Sequence, residues 1–405
     1  GSTYKPFMAL GALTTGKRSA NTLINDSGSW TYGGHTFRSH GDGGLGPVDM
    51  VRSIVLSSNV YYYSLANEMG VDVIHDFMKP LGFGQITGID LPGEVRGVLP
   101  STEWKRNTYK RPEQKKWFGG ETISLGIGQG YNAFTMLQLA TATTILANGG
   151  NKFTPHVVQA TQDALTHQQQ PVATTPIASL GFKPEHLEVV RNGLIGVATS
   201  GTSAQVFAGA AYQSAGKTGT AQAVTIGQKD KYNASKLSEH QRDHALYMAF
   251  APANDPQIAL AVIVENAGFG AAHAAPIARR VFDYWLLGQY PSEEDIAATQ
   301  QGLTSRPIGV PRAKKSRAEQ AFANLAAVGR EELACGGFNR REVRQRESCL
   351  FLFGLRPFPC AETGAKCGAK RLACVSAVIA IAIECTACCV TEQSATNSAK
   401  STIIG

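Results

Sequence analysis

The chain begins Gly-Ser-Thr-Tyr-Lys-Pro-Phe, which sets Ser2 and Lys5 three residues apart. The apolar run that follows, FMALGAL at 7–13, reads as a buried helix, and i, i+3 spacing puts both side chains on one face of its first turn. The unpaired N–H groups of a helix start favour negative charge developing at the serine. A serine hydroxyl attacks a carbonyl only when a base removes its proton, and a lysine kept neutral by burial or by other cations can be that base. The pair therefore suits acyl transfer. The same spacing also fits an N-cap followed by a solvated lysine, so any partners must come from elsewhere in the chain.

Two later stretches supply such partners. Ser-Ser-Asn at 57–59 lies in a helical pattern that continues VYYYSLANEMG, and Lys-Thr-Gly-Thr at 217–220 opens a strand. Ser-x-x-Lys, a Ser-x-Asn element and Lys-Thr-Gly, in that order, form the motif set of penicillin-binding proteins and class A β-lactamases. Ser2 would attack a carbonyl and Lys5 would take its proton. Ser57 would relay a proton toward the leaving nitrogen, and Asn59 would hold Lys5 and the substrate amide. Lys217 would disfavour protonation of Lys5 and attract a substrate carboxylate, which Thr218 and Thr220 would hydrogen-bond. Gly219 would let the strand backbone approach the substrate, and the N–H groups of Ser2 and Thr220 would form an oxyanion hole. Taken singly, Ser57 and Asn59 are ordinary helix-surface polar residues and Lys217 a strand-edge charge; three motifs in order on helix, helix and strand argue otherwise.

The elements that must hold these motifs are legible in outline. Helical patterns run over 48–69, 135–147, 182–198 and 276–287, and strand patterns over 215–224, 244–251 and 258–265. Helices first and a cluster of strands later predict an α+β fold, an antiparallel sheet flanked by helices. With 405 residues, 43% hydrophobic and 17% charged, the composition is that of a globular protein. Lys and Arg number 24 against 23 acids up to residue 310 and 14 against 8 beyond it, so the excess positive charge belongs to the end of the chain. All eight cysteines lie from Cys335 onward. No internal repeat is visible.

Longer stretches carry a resemblance: GSTYKPF, SSNVYYYSLANEMG, FGQITGIDLPGEVRG, SLGIGQGYNAFTMLQLATA, SAGKTGTAQ and YNASKLSEHQRDHALYMAFAP. Through them, residues 1 to about 290 resemble the transpeptidase domain of class B penicillin-binding proteins of the elongation type, the penicillin-binding protein 2 group. The resemblance implies a penicillin-binding protein/serine β-lactamase-like fold and peptidoglycan cross-linking. Ser2 would take an acyl group from a D-Ala-D-Ala stem peptide and pass it to a neighbouring amine, and β-lactams would acylate it. It implies no cofactor, no metal and no nucleic acid. It also implies an inner-membrane protein with its catalytic domain in the periplasm, working with a membrane glycosyltransferase and other elongation-complex proteins. In the resembled fold a helix and two strands precede the nucleophile, so the chain is expected to be N-terminally truncated, with an unpaired apolar sheet edge. Asp243 and His244 are expected to tie strand to loop without entering the chemistry.

Two other functions share the motifs. A class A β-lactamase needs a glutamate that aims water at the acyl-enzyme; Glu103, Glu113 and Glu121 occupy the interval between the second and third motifs, in sequence unlike that enzyme's loop. A β-lactam-binding sensor or cell-wall scaffold would need the motifs without turnover. Asp26, His35, His40 and Asp42 have metal-ligand chemistry but irregular, glycine-rich spacing, which reads as solvated loop. The basic loop WKRNTYKRPEQKKW at 104–117 reads as a solvated face, with attraction to anionic headgroups or a pyrophosphate as the rival reading. Residues 1–303 are thus read as the transpeptidase domain. Residues 304–405 are read as an unrelated cysteine-rich tail, disordered or arising from a frameshift or fusion, whose apolar run at 372–383 is too short to span a bilayer.

Overall fold

The computed structural model describes residues 1–39, 43–223, 237–303 and 305–313, and the backbone of the strand Val378–Ile383. The Ser-x-x-Lys stretch begins with a 3-10 turn, Ser2–Tyr4, that leads into helix α1, Lys5–Thr14. Pro6 sits in the first turn of α1, where its missing N–H costs nothing. From Lys5 to Ala12 this helix is buried on every side. It packs with α6 (Met136–Ala147) and α7 (Pro184–Thr199) into the larger core.

The expected helix over 48–69 is two helices. α2 spans Met50–Val55 and α3 spans Asn59–Met69, each with a side-chain cap at its start: Asp49 accepts from Arg52 N, and Ser58 accepts from Tyr61 N. Leu56–Ser58 is the joint between them, so Ser-Ser-Asn spans a helix start rather than a helix interior.

The central sheet runs β4–β3–β2–β1, where β1 is Ala215–Ala221, β2 is His244–Ala251, β3 is Ile258–Val264 and β4 is Val378–Ile383. β1, β2 and β3 pair antiparallel. β2 and β3 read as continuous apolar runs because both faces are covered. Met248, Phe250, Ala259 and Ala261 face the larger core, while Tyr247, Ala249, Leu260 and Val262 face α8, Gly270–Leu287. That alternation is the period-2 geometry of strands. The helix expected at 276–287 starts six residues earlier and carries Pro276 inside it.

Two findings bear on the end of the chain. β4 lies parallel to β3 over six residue pairs, from Ala259↔Val378 to Val264↔Ile383. The sheet edge expected to be unpaired is therefore occupied, by part of the apolar run at 372–383. The expected boundary between 303 and 304 is also not a break in contacts. Residues 289–290 pair with 312–313, Ser292 Oγ donates to Ile308 O at 2.6 Å, and Arg312 Nε donates to Pro291 O at 2.8 Å. These bonds tie the segment 305–313 to α9, Glu293–Gln300, and its N-cap Ser292. The cysteines lie outside the described residues. Among the described residues no helix is long and apolar enough to cross a membrane.

Candidate active site

Lys5 leaves the first turn of α1 and is fully buried. Its Nζ donates to Asn59 Oδ1 at 2.6 Å, Ser57 O at 2.7 Å and Ser57 Oγ at 3.2 Å. Lys217, in the middle of β1 and equally buried, donates to the same Ser57 Oγ at 2.9 Å and to Thr218 O at 3.0 Å. One hydroxyl thus stands between two lysines. Ser57 achieves this in a left-handed conformation, φ 57°, which costs a non-glycine residue about 1–3 kcal/mol. The helix joint makes it possible: a serine in helical conformation at 57 would continue α2 and would not present both its carbonyl and its hydroxyl to Lys5.

Burial is the main reason the Lys5 pKa lies well below the ordinary lysine value; the like charge of Lys217 lowers it further, and Asp26 pulls the other way. Lys217 is lowered to about 7, by burial. Both shifts favour neutral amines, the state a proton acceptor needs.

The Ser2–Tyr4 turn packs directly on β1. A Cβ placed on Gly219 would lie 2.9 Å from Thr3 Cγ2 and 3.2 Å from Thr3 N, and one on Gly1 would lie 2.5 Å from Thr220 O. Glycine at 219 thereby lets the Ser2–Tyr4 turn seat against the strand. The carbonyls of Thr218 and Thr220 accept from Lys217 Nζ and Gln129 Nε2. Neither donor lies on β2, so both carbonyls point off the free edge of the sheet. In a strand the N–H of a residue shares the direction of its C=O, so the N–H of Thr220 points to the side on which Ser2 sits. Thr218 Oγ1 also lies 2.7 Å from Thr202 Oγ1.

The remaining candidates fall into place by burial. Asp26 is 1% exposed and accepts from Ser58 Oγ at 2.5 Å and from Gly28 N at 2.8 Å. It is thus a buried anchor for the cap of α3, a role its type and spacing in sequence did not signal. His35 is exposed on a short strand, and His40 and Asp42 lie outside the described residues. Glu121 pairs with Lys105 and accepts from Tyr131 Oη at 2.9 Å, while Glu103 and Glu113 are exposed. Lys105, read as part of a solvated basic loop, is instead buried in the helix α4, Thr102–Thr108, among the rings of Trp117, Phe118 and Tyr131. Arg106, Lys110, Arg111, Lys115 and Lys116 of that loop are exposed. His244 Nδ1 accepts from Asn266 N at 3.0 Å, and Gly268 N donates to Asp243 O at 2.8 Å. The Asp243–His244 pair thus ties β2 to the loop leading into α8.

A helix-covered sheet whose β1, β2 and β3 pair antiparallel, with Ser-x-x-Lys, Ser-x-Asn and Lys-Thr-Gly gathered at one edge, defines the class of penicillin-recognising active-site-serine proteins. Residues 1–283 match the family model for the penicillin-binding protein transpeptidase domain; the chain belongs to that family. It is 41% identical over 297 residues to the peptidoglycan D,D-transpeptidase MrdA of Haemophilus influenzae, covering 72% of this chain and 45% of that one. To MrdA of Acinetobacter baumannii it is 45% identical over 291 residues, 71% of this chain and 42% of the other. Among solved structures, Pseudomonas aeruginosa PBP2 in complex with WCK 5153 aligns with a TM-score of 0.61 at 38% identity, over 71% of this chain and 60% of that one. The complex of PBP2 and MreC from Helicobacter pylori aligns at 0.59 and 27% identity, over 71% and 49%. The chain spans less than half the length of the curated relatives named here.

Proposed function

We propose that this chain carries the D,D-transpeptidase activity of elongation-type peptidoglycan synthesis, with Ser2 as nucleophile. The observation that supports it most is the sharing of Ser57 Oγ between Lys5 and Lys217, 3.2 and 2.9 Å away, beside a nucleophile turn seated on β1. Lys5 takes the proton of Ser2 as its oxygen attacks the carbonyl of a D-Ala-D-Ala stem peptide. The N–H groups of Ser2 and Thr220 receive the oxyanion. Ser57 carries a proton to the departing D-Ala nitrogen, and the acyl-enzyme then passes to an amine of a second strand. Lys217, Thr218 and Thr220 bind the terminal carboxylate, Gly219 keeps the strand against the nucleophile turn, and Asn59 holds Lys5 and the substrate amide. β-Lactams acylate Ser2 by the same path. The reading needs no cofactor or metal.

We read deacylation as slow: of the three glutamates between the second and third motifs, Glu121 is engaged with Lys105 and Tyr131 and the other two are exposed, which supports a transpeptidase over a β-lactamase. We place the domain in the periplasm, tethered to the inner membrane, with a glycosyltransferase and a MreC-like scaffold as partners; the relatives' assemblies motivate this. We read residues 304–405 as a cysteine-rich tail appended to the transpeptidase domain, with its described parts, 305–313 and β4, pairing with that domain. The test is labelling with a fluorescent penicillin followed by peptide mapping. The adduct is expected on the peptide that holds Ser2 and is lost in Ser2→Ala. A sensor would label but transfer no acyl group to an amine from a stem-peptide mimic, and an adduct at another residue would overturn the assignment.

A further inference from the structure

One contact on the free edge of β1 is not needed by acyl transfer. Gln129 Nε2 donates to Thr220 O at 3.0 Å, across 91 residues of sequence. β1 ends the sheet order among the described residues, so an extended peptide can add to it as a further strand, pairing its N–H and C=O with those that point outward. An acyl donor lying there, with its carbonyl carbon at Ser2, would bring a backbone N–H to the carbonyl of Thr220. Gln129 already occupies that carbonyl.

Gln129 is well fixed at its backbone, and its tip is held by the bond to Thr220. It follows α5, Gly119–Leu125, and its N–H donates to Ser124 O at 3.0 Å. Gly128 before it has φ 70° and lies so close to the nucleophile turn that a Cβ would come within 2.3 Å of Gly1 O and 2.7 Å of Tyr4 Cβ. The side chain of Gln129 is partly exposed, so rotation about its own bonds releases Thr220 without moving the turn.

We propose that Gln129 sets the specificity of the site for acyl donors, its carboxamide standing in for a peptide N–H at the Thr220 carbonyl. This rests on the transpeptidase reading above. A donor with an N–H at that point exchanges one hydrogen bond for another and gains little. A donor without one leaves Gln129 in place, and the carbonyl stays paired. The residue thereby narrows the difference between the two kinds of donor. Without it, an N–H-bearing donor gains a hydrogen bond, while a donor lacking the N–H leaves a polar group covered and unpaired.

The test compares acylation efficiencies of the full chain and of Gln129→Met, which keeps the length of the side chain and removes its donor. Benzylpenicillin brings a side-chain amide N–H next to its ring; a carbapenem with a hydroxyethyl group there does not. The ratio of their efficiencies is expected to rise roughly two- to tenfold in the variant, the worth of one net hydrogen bond, with the melting temperature unchanged. An unchanged or lower ratio overturns the proposal, as does an equal loss for both compounds, which would mark Gln129 as a prop for the strand. Gln129→Ala is the second variant and should move the ratio the same way. If the wild-type chain is not acylated on Ser2 at all, the transpeptidase reading fails and this proposal with it; if it is and the ratio does not rise, this proposal alone fails.

Discussion

Replacing Lys217 by methionine should reveal how much the second lysine does for the first. The two Nζ atoms lie 3.2 and 2.9 Å from the same Ser57 Oγ, so they are at most about 6 Å apart. At an effective dielectric of about 20, two unit charges at that distance repel by about 3 kcal/mol. That repulsion acts only while Lys217 is protonated, below its pKa of about 7, and it lowers the pKa of Lys5. The sign follows: without the charge, Lys5 binds its proton more tightly, less of it is free to accept one from Ser2, and acylation slows at low pH. The assay is the acylation rate across pH 6 to 9 with the methyl ester of a penicillin, which has no carboxylate for Lys217 to hold. At pH 6 the variant should be slower by up to about a hundredfold. Toward pH 9 the two rates should converge to a constant offset, left by the lost hydrogen bond from Lys217 to Ser57. A ratio independent of pH would refute the claim that the charge of Lys217 tunes Lys5.

Ser58→Ala removes the N-cap of α3 and leaves the buried carboxylate of Asp26 without its 2.5 Å donor. A loss of about 2–4 kcal/mol in chemical denaturation is expected from the cap and the unpaired group together, and a loss under 0.5 kcal/mol would contradict that anchoring role. Gly219→Ala puts a methyl group 2.9 Å from Thr3 Cγ2. If Ser2 is the nucleophile as proposed, penicillin acylation should fall at least tenfold, with a smaller effect on melting temperature, since the displaced group is the Ser2–Tyr4 turn; an unaltered acylation rate would show that the turn can yield.

The sequence revealed most where chemistry restricts residue type. Ser-x-x-Lys, Ser-x-Asn and Lys-Thr-Gly could be read because each restricts residue type over a short span and their order matches a known motif set, and the three segments do meet. Strand β2 has the bounds 244–251 expected from its unbroken apolar run, which is the pattern of a strand covered on both faces. The misreadings have local causes. Pro276 looked like a helix start, a position proline favours, but tertiary packing of Ala274, Ala275 and Ala278 on the sheet carries α8 through it. Ser57 looked helical because apolar and aromatic residues flank it; nothing in its own identity announces a left-handed backbone. Lys105 looked solvated because five other cations surround it in sequence, and only the fold brings Glu121 and three rings to it. Gln129 lies in the SLGIGQG stretch, yet its partner is 91 residues away, beyond the reach of any spacing argument.

Burying two lysines and straining a serine works against stability, so the surrounding fold must hold the arrangement in place. Three anchors do so, each outside the chemistry. Asp26 fixes Ser58, and through it the start of α3 that carries Asn59. The ring hydroxyl of Tyr247 meets Ser203 Oγ at 3.0 Å and lies where a Cβ on Gly216 would stand, 2.4 Å away, which sets the height of β1 over β2 one residue before Lys217. Gly128 lies against Gly1 and Tyr4, with no room for a side chain between. Each anchor acts on a different motif, so loosening one should misplace a single side chain while leaving the others seated. Side chains that share one hydroxyl tolerate little such displacement, because hydrogen bonds of 2.6 to 3.2 Å weaken quickly with distance and angle. The precision of the site therefore depends on small and polar residues in the layers behind it as much as on the lysines themselves.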